Sequence, residues 1–122
     1  MADGLAWDDL TPELEAPGVG IRRMDAGGLA MCLIRLDAGV KTDPLFTGLR
    51  DDRCQCAHWG YIISGTMRVH GADGTRDYEA GEMYYWEPGH NLEAATDSEY
   101  VEITRSEDYD ALMAHCKRVM SG

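Results

Sequence analysis

The stretch CQCAHWGYIISG, residues 54–65, joins three candidate metal ligands to an apolar run that ends in glycine. Cys54, Cys56 and His58 occupy alternate positions, and alternate side chains of an extended strand point to the same face. A regular strand over residues 54–63 would therefore place all three on one face. Thiolate and imidazole are ligands of zinc, and iron, nickel and copper also accept them. The stretch thus predicts a metal site; the alternative is that the cysteines fill the core and the histidine is hydrogen-bonded.

The composition narrows the class of protein. The chain has 122 residues, which suits one domain, and its 22 acidic and 11 basic residues give a net charge of −11. Such a surface repels phosphate backbones, so we expect no nucleic-acid partner. No apolar run approaches the roughly 18 residues of a membrane-spanning helix, and the start, MADGLAWDDL, lacks the features of a secretion signal. We therefore expect a cytoplasmic protein with reduced cysteines and no membrane contact.

Short apolar runs alternate with turn signals from residue 19 onward. This rhythm, at intervals of about eight to twelve residues, is typical of an all-β sandwich or barrel. Asp73-Gly74 is a good hairpin turn, because both residues tolerate positive φ. The runs are VGIRRM, LAMCLIRL, HWGYIISG, TMRVHG, TRDYEA, EMYYWE, NLEAAT and YVEITR.

The two ends of the chain differ from the middle. Residues 1–18 are acidic and contain two prolines, which predicts an N-terminal arm. Residues 106–122 carry apolar side chains at helical spacing, with acidic residues in the first turn and basic residues in the last, which predicts a helix. The predicted organisation is an arm over 1–18, a β-barrel over 19–105 and a C-terminal helix over 106–122.

One internal segment lacks the strand rhythm. Residues 40–53, VKTDPLFTGLRDDR, carry a proline, a glycine and a charged end. A loop of this length in a small domain is often functional, so the segment is either a lid or a plain insertion.

The region between His58 and His90 resembles the cupin family of small β-barrels. His58 lies seven residues before Gly65, at the place of the glutamate in the first cupin motif. Residues 81–90, GEMYYWEPGH, resemble the second motif. With the flanking strands, the resemblance covers most of residues 19–105. It implies an all-β fold, the cupin-type double-stranded β-helix or jelly-roll barrel, followed by the C-terminal helix.

The chain departs from the ordinary cupin motifs at the metal-ligand positions. The two histidines of the first motif would fall near residues 51–54, which read DDRC, and the histidine of the second would fall at Leu92. A variant group of cupins is closer, with a cysteine four residues before a histidine, then G-Y-(V/I)-(L/I)-S-G and later P-P-G-H-(D/N). The chain resembles that group through Cys54, His58 and the sequence PGHN at residues 88–91.

The resemblance implies a specific ligand set. Cys54, His58 and His90 would hold a divalent metal inside the barrel, with Cys56 as a candidate fourth ligand. Zinc is the preferred ion, and iron, nickel, copper and manganese are alternatives. Glu87 is a candidate general base if its carboxylate faces the cavity beside the metal; the alternative is a solvated turn residue.

Two functions are consistent with this resemblance. Cupins with an inward metal and an open coordination position include dioxygenases, isomerases, lyases and polyketide cyclases, which implies an enzyme that acts on a small organic molecule. The alternative is a non-catalytic cupin that senses a small ligand or a metal. Whether Cys56 binds the metal distinguishes the two functions, because three protein ligands suit a catalytic zinc site and four suit a structural one. Cupins are commonly dimers, so the resemblance also implies a homodimer.

Overall fold

The computed structural model describes residues 4–122, which contain nine strands and two α-helices. Two 3-10 turns, Trp7–Asp9 and Arg50–Asp52, complete the regular elements of this range. The elements are β1 (Thr11–Ala16), β2 (Val19–Ala26), β3 (Leu29–Leu36), α1 (Asp43–Phe46), β4 (His58–Ser64), β5 (Thr66–Gly71), β6 (Gly74–Glu79), β7 (Met83–Trp86), β8 (Asn91–Ala94), β9 (Ser98–Arg105) and α2 (Ser106–Ser121).

The strands form two antiparallel sheets. The larger sheet has the order β1-β2-β3-β9-β4-β7, and the smaller has the order β6-β5-β8. Two isolated bridges, Lys41 with Glu93 and Cys54 with His90, join the segments that flank α1 to the region around β8. The predicted β-barrel with a C-terminal helix is therefore confirmed, and each of the eight predicted apolar runs overlaps one of the strands β2 to β9.

The first strand lies inside the segment that the sequence analysis assigns to an arm. β1 pairs with β2 along the edge of the larger sheet, and Leu14 is buried in the core. Pro12 fits this edge position, where a missing amide donor is tolerated. The arm prediction also includes residues 1–3, which lie outside the described residues.

Strand parity decides which side chains enter the barrel. On β7, Tyr84 and Trp86 are buried, whereas Met83 and Tyr85 are exposed. On β4, His58 and Ile62 are buried. The opposite face of β4 and β7 forms an outer apolar patch, which we define as Trp59, Tyr61, Ile63, Met83 and Tyr85, all exposed.

The segment 40–53 packs over one end of the barrel. It contains α1, which contacts α2 and β8, and Phe46 of α1 is buried. The ring of His115 on α2 contacts the carbonyl oxygen of Thr47 at 2.9 Å through Nε2. These contacts hold the segment against α2 and β8, and its role as a lid stays a prediction.

None of the helices in residues 4–122 combines the length and the apolar character that crossing a membrane requires.

Candidate metal centre

Cys54, His58 and His90 meet in the interior of the barrel. All three are buried, and one potential ligand atom from each lies within 4.8 Å of the other two. Cys54 Sγ is 3.4 Å from His58 Nε2, and the two imidazole rings are 5.0 Å apart between centroids. The structure thus brings together three of the four residues that the sequence predicts as ligands.

Two different local structures position these residues. β4 begins at His58 and not at Cys54, so the expected regular strand over residues 54–63 is wrong for its first part. Cys54 instead pairs with His90, donating its amide to the His90 carbonyl at 2.9 Å. This bridge to the backbone that follows β7 holds Cys54 in the interior, although residues 55–57 do not belong to a strand.

Hydrogen bonds at Nδ1 orient both imidazole rings. His90 Nδ1 lies 2.6 Å from the Glu87 carbonyl oxygen, which can only accept, so Nδ1 carries the proton in this contact. In the neutral ring, Nε2 of His90 is then an acceptor. His58 Nδ1 contacts the hydroxyl of Thr104, while its Nε2 faces the cluster. Such contacts on the far nitrogen are typical of metal-ligating histidines.

The electrostatics favour neutral imidazoles. Burial lowers the pKa of His58, and the neighbouring His90 lowers it further. Burial also lowers the pKa of His90, against the opposing effect of its hydrogen bond to Glu87. Contact with Cys56 and burial raise the pKa of the Cys54 thiol. A bound cation would reverse that effect, since a coordinating thiol is deprotonated.

Cys56 takes a different direction from Cys54. Its thiol donates to the carbonyl oxygen of Asp108 at 3.5 Å, on the first turn of α2. The side chain borders a surface cleft together with Leu49 and Ala111. Cys56 is therefore close to the cluster in sequence, but its sulfur is outside the group of three converging ligand atoms.

Glu87 contributes its backbone to the site. Its carbonyl oxygen holds His90, and its exposed side chain borders an open cleft of about 270 Å³ that Arg76 and Tyr78 also line. His90 lines the same cleft, so a molecule bound there would approach a metal ligand. The role of Glu87 as a general base stays a prediction.

Glu102 is the residue of the site that the sequence analysis missed. It lies on β9, is 4% exposed, and places Oε1 3.7 Å from His58 Nε2. Burial, and then the nearby Cys56, raise the pKa of its carboxyl to about 8. The hydrophobic pattern of YVEITR suggests that Val101 and Ile103 point inward, which would leave Glu102 on the outer face. The pairing of β9 with β4 would have revealed Glu102, because Glu102 is opposite Gly60, which lies on the same face of the sheet as His58.

The residues present fit a metal ion. Nε2 of His90 is buried and, among the described residues, has no hydrogen-bond partner. A buried acceptor without a partner is costly, and coordination to a cation would satisfy it. One sulfur and two imidazole nitrogens form a donor set that suits zinc and related divalent ions.

Comparison with solved structures identifies the architecture. An RmlC-like cupin from Shewanella frigidimarina NCIMB 400 superposes with a TM-score of 0.64 at 14% identity, covering 89% of this chain and 96% of that one. The chain has a cupin fold. No family model matches it, and no curated protein sequence matches it either.

Two enzymes have similar cupin structures. Ectoine synthase from P. lautus has a TM-score of 0.64 at 16% identity, over 90% of this chain and 86% of that one. The polyketide cyclase RemF from Streptomyces resistomycificus has a TM-score of 0.62 at 16% identity, over 85% and 79% of the two chains. At these identities the likeness is one of fold.

The residues of this site differ in position from those of the motifs that the sequence resembles. His58 stands where the ordinary first motif has its glutamate. The buried carboxylate beside His58 comes instead from Glu102 on β9. The carboxylate and the imidazole therefore reach the interior from neighbouring strands of the larger sheet.

Proposed function

We propose that this cupin is a metal-dependent enzyme that acts on a small organic molecule inside the barrel. Cys54, His58 and His90 hold the metal, and zinc is the preferred ion. The observation that carries the proposal is the convergence of three buried ligand atoms, one of which, Nε2 of His90, has no partner among residues 4–122.

The metal would polarise a carbonyl or carboxylate oxygen, or activate water or dioxygen. The chain supplies the arrangement around it. Thr104 and the Glu87 carbonyl fix the two imidazole rings, and three protein ligands leave a coordination position for a substrate or water. Glu102 lies beside the ligand nitrogen of His58, within reach of a molecule bound there.

The reaction belongs to one of the classes that small cupins perform: dioxygenation, isomerisation, elimination or cyclisation. The similar structures of a synthase and a polyketide cyclase support chemistry on a small molecule as the general activity. Since fold alone does not select a reaction, the proposal extends no further than this.

A structural or sensing metal site is the second candidate. It is favoured by the proximity of Cys56, whose sulfur perturbs the pKa of Cys54. If Cys56 turned from Asp108 towards the metal, a closed site of two cysteines and two histidines would result, with no position for substrate.

Metal content tests the proposal directly. We would purify the untagged protein without added metal and measure zinc, iron, nickel, copper and manganese by mass spectrometry, before and after reconstitution. We expect close to one equivalent of one metal in the wild type. We expect a loss of at least tenfold in His58→Ala and in His90→Ala.

His70→Ala is the matched control. His70 is partly exposed on β5 and contacts Thr75 and Glu93, away from the cluster, so its loss should leave metal content unchanged. A wild type that takes up no metal after reconstitution, or variants that retain it fully, would refute the proposed metal enzyme.

We also propose that the protein is a homodimer joined through the outer apolar patch. The patch contains one aromatic pair from neighbouring strands, Trp59 of β4 and Tyr85 of β7, whose ring centroids are 5.4 Å apart. Met83 is 83% exposed, and large exposed apolar patches commonly mark protein interfaces.

A cytoplasmic location is supported by four buried cysteines that form no disulfide, and the net charge of −11 argues against nucleic acid.

A further inference from the structure

A second internal space borders the metal centre. It is a cavity of about 80 Å³ between the barrel, α1 and α2. Its walls are mostly aliphatic and include Ile21, Ile34, Leu36, Leu92, Leu112 and Met113. His58 also lines it, so the cavity opens onto a ligand of the proposed metal.

Two buried polar residues line this cavity. Glu102 is 4% exposed, and its Oε1 is 3.7 Å from His58 Nε2, beyond the range of a hydrogen bond. The hydroxyl of Tyr109, which is 1% exposed, has no hydrogen-bond partner among the described residues. Buried polar groups are nearly always hydrogen-bonded, so this unpartnered hydroxyl on an apolar cavity indicates a missing polar ligand.

The chemistry of these groups is complementary to an alcohol. A carboxyl oxygen of Glu102 accepts a hydrogen bond in either protonation state, and a phenol hydroxyl can donate one. A ligand hydroxyl can donate to the first and accept from the second.

The size of the cavity limits the rest of the ligand. An engineered cavity of about 150 Å³ binds benzene, so a cavity of about half that volume suits a shorter aliphatic group of roughly three to five carbon and oxygen atoms.

We propose that Glu102, Tyr109 and the aliphatic cavity select a substrate with a short hydroxyl-bearing aliphatic group, whose hydroxyl lies beside Glu102 and next to the metal. This inference rests on the proposed function in one respect, namely that the bound ligand is a substrate. The binding itself does not depend on catalysis.

The test uses isobutanol as the probe. Binding to the purified protein is followed by ligand-observed and amide-detected NMR. We expect isobutanol to bind with shifts at cavity residues.

Variants separate the two polar groups from general effects on the fold. Glu102→Leu removes the acceptor and should weaken isobutanol binding at least tenfold, whereas Glu102→Gln keeps a carbonyl acceptor and should restore most of it. Tyr109→Phe should weaken binding several-fold. Tyr84→Phe is the matched control, because its hydroxyl donates to the Val101 carbonyl outside the cavity.

Metal content is measured on the same preparations. A wild type without metal that still binds isobutanol in the cavity would refute the proposed enzyme and leave the cavity inference standing. Shifts away from the cavity, or equal binding by wild type and Tyr109→Phe, would overturn the inference, whether or not Glu102→Leu folds.

Discussion

Cys54 and His90 are joined through their main chains. The Cys54 amide donates to the His90 carbonyl at 2.9 Å, and the His90 amide donates to the Cys54 carbonyl at 3.2 Å. This bridge links the segment before β4 to the turn between β7 and β8. Two of the three candidate ligands are thus fixed by backbone contacts, before any metal is bound.

The Thr104 hydroxyl should tune metal affinity through His58. Thr104→Val keeps the side-chain volume but removes the contact with His58 Nδ1. Because such contacts orient the ring of a metal ligand, we expect metal affinity to fall by about 10- to 100-fold. Competition with a chromophoric chelator measures it.

The matched control for this change is Thr75→Val. Thr75 contacts His70 through the same pair of atoms, but on the exposed surface. Equal affinities of Thr104→Val and wild type would show that the hydroxyl does not position the ligand.

Cys56 should be dispensable for metal binding. Its sulfur faces the Asp108 carbonyl and not the three converging ligand atoms. We expect Cys56→Ser to retain metal, whereas Cys54→Ser should lose at least tenfold in affinity. Cobalt substitution followed by visible spectroscopy counts the thiolate ligands. Two thiolates in the wild type and one in Cys56→Ser would instead establish the closed structural site.

The stability of the metal-free protein should decrease with rising pH because of Glu102. Its pKa is about 8 in the folded state, raised first by burial, and 4.5 in the unfolded chain. Between these values the unfolded state has released a proton that the folded state keeps, so the free energy of unfolding falls as the pH rises. This decrease in the free energy of unfolding is absent below about pH 4.5 and complete above about pH 8.

Glu102→Gln should remove this dependence. The free energy of unfolding of the variant minus that of the wild type should grow across the window, by at most about 5 kcal/mol. Urea denaturation of chelator-treated proteins at several pH values measures it. A difference that stays constant with pH would contradict the raised pKa.

Gly60 should be irreplaceable on β4. A Cβ at this position would collide with the Val101 carbonyl oxygen and lie 2.5 Å from the Tyr84 hydroxyl oxygen. Since backbone atoms cannot move aside, we expect Gly60→Ala to destabilise by about 3 kcal/mol or more. Gly71→Ala, on β5, meets its nearest atom at 3.8 Å and should change stability by less than about 1 kcal/mol. Similar melting temperatures for the two variants would be inconsistent with this packing.

Charges on the outer apolar patch should dissociate the proposed dimer. Tyr61→Lys and Met83→Lys would place a cation on this patch, where a buried interface would leave it without a partner. Met120→Lys, on the exposed side of α2, is the matched control. Analytical ultracentrifugation should find monomers for the first two and dimers for the control and wild type. A monomeric wild type would refute the dimer.

The alternation of apolar runs and turn signals determined the fold class. The positions of β2 to β9 follow from period-two patterns and from glycine-containing turns, which are local properties of the chain. The amphipathic helix at the end is local in the same sense. The candidate ligands Cys54, His58 and His90 also followed from the sequence, through the cupin resemblance.

Tertiary structure alone decided the parity of the strands and the position of Glu102. The larger sheet carries apolar side chains on both faces, so hydrophobicity could not tell whether Glu102 or Val101 points inward. Only pairing with β3 and β4 fixed that choice. The different directions of Cys54 and Cys56 likewise depend on non-local partners, the His90 backbone for one and the Asp108 carbonyl for the other. A local pattern specifies which residues are extended, but contacts between distant segments determine which side chains share the interior.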